Sequence, residues 1–119
     1  MFFRRRPEAA TFSPQDAVRG AQDGSVTVID VREHGEVAMS GKARGALHIP
    51  LMRLPHMADP AHPDFNPALR TDARIALYCA SGARSGSAQE LMRKLGYEDV
   101  HNIGGLSHWL RAGGQIDAA

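Results

Sequence analysis

Short β-branched runs alternate with helical segments along this chain, and that alternation constrains its fold more than any other feature. Val26-Thr27-Val28-Ile29 is β-branched and too short for a helix, which predicts a buried strand running into Asp30. Further short strands are expected from Ala46 to Ile49, stopped by Pro50, from Arg74 to Cys79, and from Val100 to Ile103. Between them lie helix signals. Ser13-Pro14-Gln15-Asp16 carries an N-cap, a proline at the first helical position and a capping-box acid, so a helix is predicted from there to about Gly24. A second helix is expected from about Ser85 to Leu95, ending at Gly96, and Gly104-Gly105 opens a third, short one. The predicted class is α/β: a small parallel sheet with helices on both faces and ligand sites outside the carboxyl ends of its strands. Cys79 falls at such an end.

The 119 residues suit one domain, expected over residues 11–119, after a flexible N-terminus at residues 1–10 that carries Arg4, Arg5 and Arg6. Basic and acidic side chains are interspersed and leave a net charge of +1, so no nucleic-acid footprint is present. No apolar stretch of signal-peptide or membrane-span length follows the arginines, which makes the cytoplasm the expected location without membrane contact. A single cysteine cannot form an intramolecular disulfide, so Cys79 is available for chemistry.

A cysteine closing the run Ile75-Ala76-Leu77-Tyr78 is, by itself, more often a buried small hydrophobe than a catalyst. The segment after it, Ala80-Ser81-Gly82-Ala83-Arg84-Ser85, shifts the balance. Its small residues let the backbone curl until several N–H groups converge on one point, at the N-terminal end of the next helix. Such surroundings lower a thiol pKa. Arg84 is either a surface ion-pair partner or a guanidinium that holds an oxyanion or binds the loop carbonyls, and Ser85 is expected to cap the helix. Asp30 and Arg32, just beyond a strand end, read locally as a helix cap and a solvated charge. Glu33 and His34 read as exposed starts of the next turn.

Four segments carry a family likeness: Asp30-Val31-Arg32-Glu33, the stretch from Gly41 to Pro50, Tyr78-Cys79-Ala80-Ser81-Gly82-Ala83-Arg84-Ser85, and Gly104-Gly105-Leu106-Ser107-His108-Trp109. In order and spacing they resemble the rhodanese family, specifically its single-domain sulfurtransferases, over about residues 12–116. The resemblance implies a small parallel-sheet rhodanese-like domain in which Cys79 is the nucleophile and residues Ala80, Ser81, Gly82, Ala83, Arg84 and Ser85 form the anion-binding loop. It also implies that Asp30 and Arg32 stand beside that loop as a supporting ion pair, with Arg32 a candidate for substrate contact. Sulfane sulfur would pass from thiosulfate or a related small donor to Cys79 as a persulfide, then to a thiol, cyanide or a protein acceptor, with no metal or organic cofactor. Donor, acceptor and oligomeric state stay open. Two other readings use the same residues: a sulfur carrier or binding module without turnover, and a phosphatase or arsenate reductase. The family's phosphatase relatives carry one more residue between cysteine and arginine, up to ~3.6 Å of extra chain, whereas Cys79 and Arg84 here have four residues between them.

The remaining features carry less. His56, Asp59, His62 and Asp64 lack a recognised metal-ligand spacing, and the prolines among them predict a surface excursion with at most a short helix near Met52 to Met57. His48, His101 and His108 are expected to make local hydrogen bonds, Gly41 to Gly45 a turn, and Leu106, Trp109 and Leu110 a core-facing stripe.

Overall fold

The chain opens on the predicted capping box, in a computed structural model that describes residues 12–118. The Ser13 hydroxyl accepts the Asp16 N–H at 3.1 Å and the Asp16 carboxylate accepts the Ser13 N–H at 2.9 Å, which starts α1 (Pro14–Asp23). Gly24, at φ 84°, closes it in the left-handed conformation that glycine adopts without cost. The flexible segment expected at residues 1–10 lies outside the described residues.

Four strands form one parallel sheet in the order β3-β1-β4-β5: β1 is Val26–Asp30, β3 Leu47–His48, β4 Arg74–Cys79 and β5 Val100–Gly105. Alternation along β4 divides the core. Ile75, Leu77 and Cys79 join the cluster that contains Leu54 of α3 (Leu54–Met57) and Ala88 and Met92 of α4 (Ala83–Lys94). Ala76 and Tyr78 join the other, with Ala17 and Val18 of α1 and Trp109 of α5 (Leu106–Arg111). Helices therefore cover both faces, as the α/β reading requires.

Several local expectations are corrected. Helix α4 begins at Ala83, with Gly82 as its N-cap at φ 110°, two residues before the expected cap at Ser85. A left-handed N-cap is open to glycine, so the turn closes as soon as Gly82 allows it. Glu33 and His34 are exposed as expected, but they open a helix, α2 (His34–Ser40), too short to show a helical period in the sequence. The Gly41 to Gly45 turn includes a strand, β2 (Lys42–Ala43), which pairs antiparallel with β6 (Ile116–Asp117). Two-residue strands leave no periodic trace in a sequence. Leu110 is 48% exposed and so leaves the core to Trp109, whose indole N–H donates to the Gln115 carbonyl at 2.8 Å.

The proline-rich excursion is anchored rather than loose. Leu54, Ala58 and Leu69 are buried in it, and the Tyr97 hydroxyl donates to the Ala58 carbonyl at 2.7 Å. Among the described residues no helix is long and apolar enough to cross a membrane.

Candidate active site

Strand β4 delivers Cys79 to the carboxyl end of the sheet, and the chain turns at once through residues 80–82 into α4. The Cys79 residue is wholly buried, and its sulfur forms the floor of that turn. The Gly82 N–H donates to the sulfur at 3.0 Å, and the Ser85 hydroxyl lies 3.4 Å away. Burial pushes the thiol pKa up, but the Ser85 hydroxyl and the N–H groups of Ser85, Gly82 and Ser81 outweigh it, leaving Cys79 at about 7 against an ordinary 9.0. A substantial share of the thiol is then ionised near neutral pH. A thiolate held this way is a nucleophile that needs no separate base.

The loop is braced from β5 by a residue that sequence reading passed over. The Asn102 carboxamide donates to the Gly82 carbonyl at 2.9 Å, while its oxygen accepts from the Ser85 hydroxyl at 2.7 Å and from the Gly104 N–H at 3.0 Å. One exposed side chain thus fixes the carbonyl of the cap residue and the hydroxyl beside the sulfur. A carboxamide within β5, two residues before the Gly104-Gly105 pair, is the signal that could have revealed it. The register between β4 and β5 slips between Leu77 and Cys79, so that Cys79 stands opposite Gly105. A Cβ on Gly105 would collide with the Ala80 carbonyl, so close approach of strand and loop requires glycine there.

Asp30 and Arg32 form a buried ion pair that is tied to β4 through Tyr78, the residue before Cys79. Both are buried; the Asp30 carboxylate accepts from Arg32 Nη2 at 2.7 Å and from the Tyr78 hydroxyl at 2.6 Å. Arg32 donates further to the Ser40 hydroxyl and the Gly41 carbonyl, at 2.8 Å and 2.7 Å. Its Nε and both terminal nitrogens are engaged within the protein, so the solvated charge of the local reading is instead a buried strut. Tyr78 closes the network by accepting the Ala43 N–H at 2.8 Å, and burial pushes its own phenol pKa up.

Of the alternatives open for Arg84, the ion pair is the one formed. Its Nη1 and Nη2 donate to Glu36 Oε1 and Oε2 of α2 at 2.6 Å and 2.8 Å, a bidentate pair with each side chain about one-third exposed. It binds none of the loop carbonyls that sequence reading offered as partners. The Arg84 guanidinium, with the Glu33 N–H, holds the Glu36 carboxyl at about 2, well below its ordinary 4.5. No local signal joins positions 36 and 84, because the pairing exists only across the fold.

The histidines make local contacts: His48 Nε2 lies 2.7 Å from the Arg32 carbonyl, His101 pairs with Asp99, and His108 Nδ1 accepts the Gly105 N–H at 2.9 Å. His108 therefore caps the start of α5. Among the described residues no group of three or more side chains could hold a metal ion. A cleft of about 350 Å³ between α1, α5 and Arg44 contains no loop residue and lies apart from Cys79.

A family model, the Rhodanese-like domain, matches residues 13–112. The chain belongs to the rhodanese-like family. It is 36% identical over 78 residues to the thiosulfate sulfurtransferase PspE of Escherichia coli, covering 66% of this chain and 68% of that one. It is 37% identical over 92 residues to the uncharacterized protein YqhL of Bacillus subtilis, covering 76% of this chain and only 64% of that longer protein. Among solved structures, a human single-domain sulfurtransferase superposes with a TM-score of 0.71 at 28% identity, over 85% of this chain and 95% of that one. A Rhodopseudomonas palustris protein of unknown function, described as a possible tyrosine phosphatase, superposes with a TM-score of 0.78 at 31% identity, over 90% and 83%. A rhodanese-like parallel sheet is thus the architecture of this chain, with sulfurtransferases among its relatives.

Proposed function

We propose that this rhodanese-like protein is a sulfurtransferase that moves sulfane sulfur from thiosulfate or a related donor to a thiol, cyanide or a protein acceptor. The observation that carries this reading is the Cys79 sulfur at the turn into α4, with the Gly82 N–H at 3.0 Å and the Ser85 hydroxyl at 3.4 Å lowering its pKa. In the first step the Cys79 thiolate attacks the outer sulfur of the donor. The donor's S–S bond breaks and its electron pair leaves with the remaining fragment, sulfite when the donor is thiosulfate. Cys79 then carries a persulfide, whose anionic outer sulfur faces the N–H groups that held the thiolate. In the second step an acceptor nucleophile attacks that outer sulfur and the Cys79 thiolate leaves. No metal or organic cofactor enters either step. The cytoplasm, with its reduced thiol acceptors, is the compartment this chemistry fits.

The short loop supports sulfur over phosphorus. Four residues separate Cys79 from Arg84, one fewer than in the loops of the family's phosphatases and arsenate reductases. Arg84 is moreover paired with Glu36, which opposes binding of a phosphate ester dianion. Intact-mass measurement after incubation with thiosulfate, mercaptopyruvate or glutathione persulfide tests the proposal. Wild type is expected to gain one reducible sulfur from at least one donor, and Cys79→Ser to gain none. Failure of wild type to take sulfur from any of them would sink the enzyme reading, and hydrolysis of a phosphate ester in its place would establish the alternative. Loading without catalytic release to cyanide or thiols would identify a carrier.

A further inference from the structure

The charged groups around the loop form an unequal set. Arg84 is the only charged side chain among residues 80–85, and Arg32 is committed to Asp30, Ser40 and Gly41. The two terminal nitrogens of Arg84 both point at the Glu36 carboxylate, and the charges of Cys79 and Glu33 also act on its guanidinium. Glu36 in turn is fixed by the Glu33 N–H at 2.9 Å, at the start of α2. One guanidinium is therefore paired with one carboxylate and lies within electrostatic reach of a second, Glu33, and of the Cys79 thiolate. A donor approaching the sulfur meets backbone N–H groups and a cation whose charge is already balanced.

We propose that Glu36 is a specificity-determining residue of this site: by occupying both terminal nitrogens of Arg84 it makes the cradle favour donors with at most one negative charge, persulfides of small thiols, over the thiosulfate dianion. This rests on the sulfur-transfer reading and narrows its donor. With a persulfide, the Cys79 thiolate supplies the electron pair for the new S–S bond. The donor's S–S bond breaks, and its electron pair leaves on the donor thiolate with a single charge. With thiosulfate both the incoming donor and the departing sulfite carry two charges past Glu36 and Glu33. Thiosulfate brings one charge more than a singly charged persulfide, and one extra charge against Glu36 at about 4 Å in water-like surroundings corresponds to roughly a five- to tenfold change in rate constant.

The test is the second-order rate of Cys79 loading, followed by quenched-flow intact mass, with thiosulfate and with the persulfide of 2-mercaptoethanol. Glu36→Gln keeps the acceptor oxygen for the Glu33 N–H while removing the charge. The ratio of the thiosulfate rate to the persulfide rate is expected to rise roughly five- to tenfold in Glu36→Gln. It should fall back toward the wild-type value in the double variant E36Q/R84Q, where the released cation is gone. A purely structural Glu36 would slow both donors together and leave the ratio unmoved, which overturns the proposal. A fall in the ratio overturns it as well. Wild type loading from neither donor is a different result, the failure of the sulfur-transfer reading itself.

Discussion

At the residue scale, the reactivity of Cys79 depends on very few atoms. One N–H at 3.0 Å and one hydroxyl at 3.4 Å stand directly at the sulfur, inside a burial that by itself favours the neutral thiol. The Ser85 hydroxyl has one proton, and Asn102 at 2.7 Å competes for it. Turning that proton to the sulfur accompanies ionisation, and the partner it leaves is still held by the Gly104 N–H. Iodoacetamide alkylation of Cys79 followed against pH is expected to rise with a midpoint near 7. In Ser85→Ala the midpoint should move upward by about one unit, the worth of one hydrogen bond to a charged group. An unchanged midpoint would mean that backbone N–H groups alone hold the thiolate. Sequence reading found Cys79 and its small-residue loop, because local composition limits what that backbone can do. Ser85 was read as a helix cap; its position beside the sulfur follows from α4 starting at Ala83.

At the scale of elements, the site is a junction between β4, α4 and β5. The register slip that sets Cys79 opposite Gly105 brings the Ala80 carbonyl against the Gly105 backbone, where no side chain fits. Gly105→Ala is expected to cost about 2 kcal/mol, the usual range for forcing a methyl into a packed position, and to lower sulfur-transfer activity by displacing the loop. Urea unfolding and steady-state turnover measure the two effects. Stability loss with full activity would place the strain outside the loop. The strands and the two long helices were legible because capping boxes, β-branched runs and glycine stops act over a few residues. Helix α2 and the β2–β6 pair were not, since a seven-residue helix and two-residue strands are selected by what they pack against.

At the scale of the whole molecule, ion pairs join segments far apart in the chain: Glu36 with Arg84, Arg44 with Asp117, and Arg74 with Asp99. The carboxyls of Glu36, Asp99 and Asp117 all titrate below their ordinary values in the fold. For Glu36 the folded value is about 2 and the unpaired value 4.5, so its contribution is fully present above 4.5 and is lost as pH falls toward 2. Melting temperature should therefore drop over that window, and less steeply in Glu36→Gln; parallel curves for the two proteins would refute a stabilising pair. The amino-acid sequence alone determined the α/β alternation, the placement of Cys79 at a strand end and the small-residue loop after it, because each is dictated by interactions within a few residues. Only the tertiary structure decided which cation serves the site. Arg32 and Arg84 are equal charges in the sequence; burial beside Asp30 and Tyr78 made one a structural strut, and the approach of α2 gave the other a carboxylate partner. Charge is written in the sequence, but its neighbours at contact distance are set by the fold.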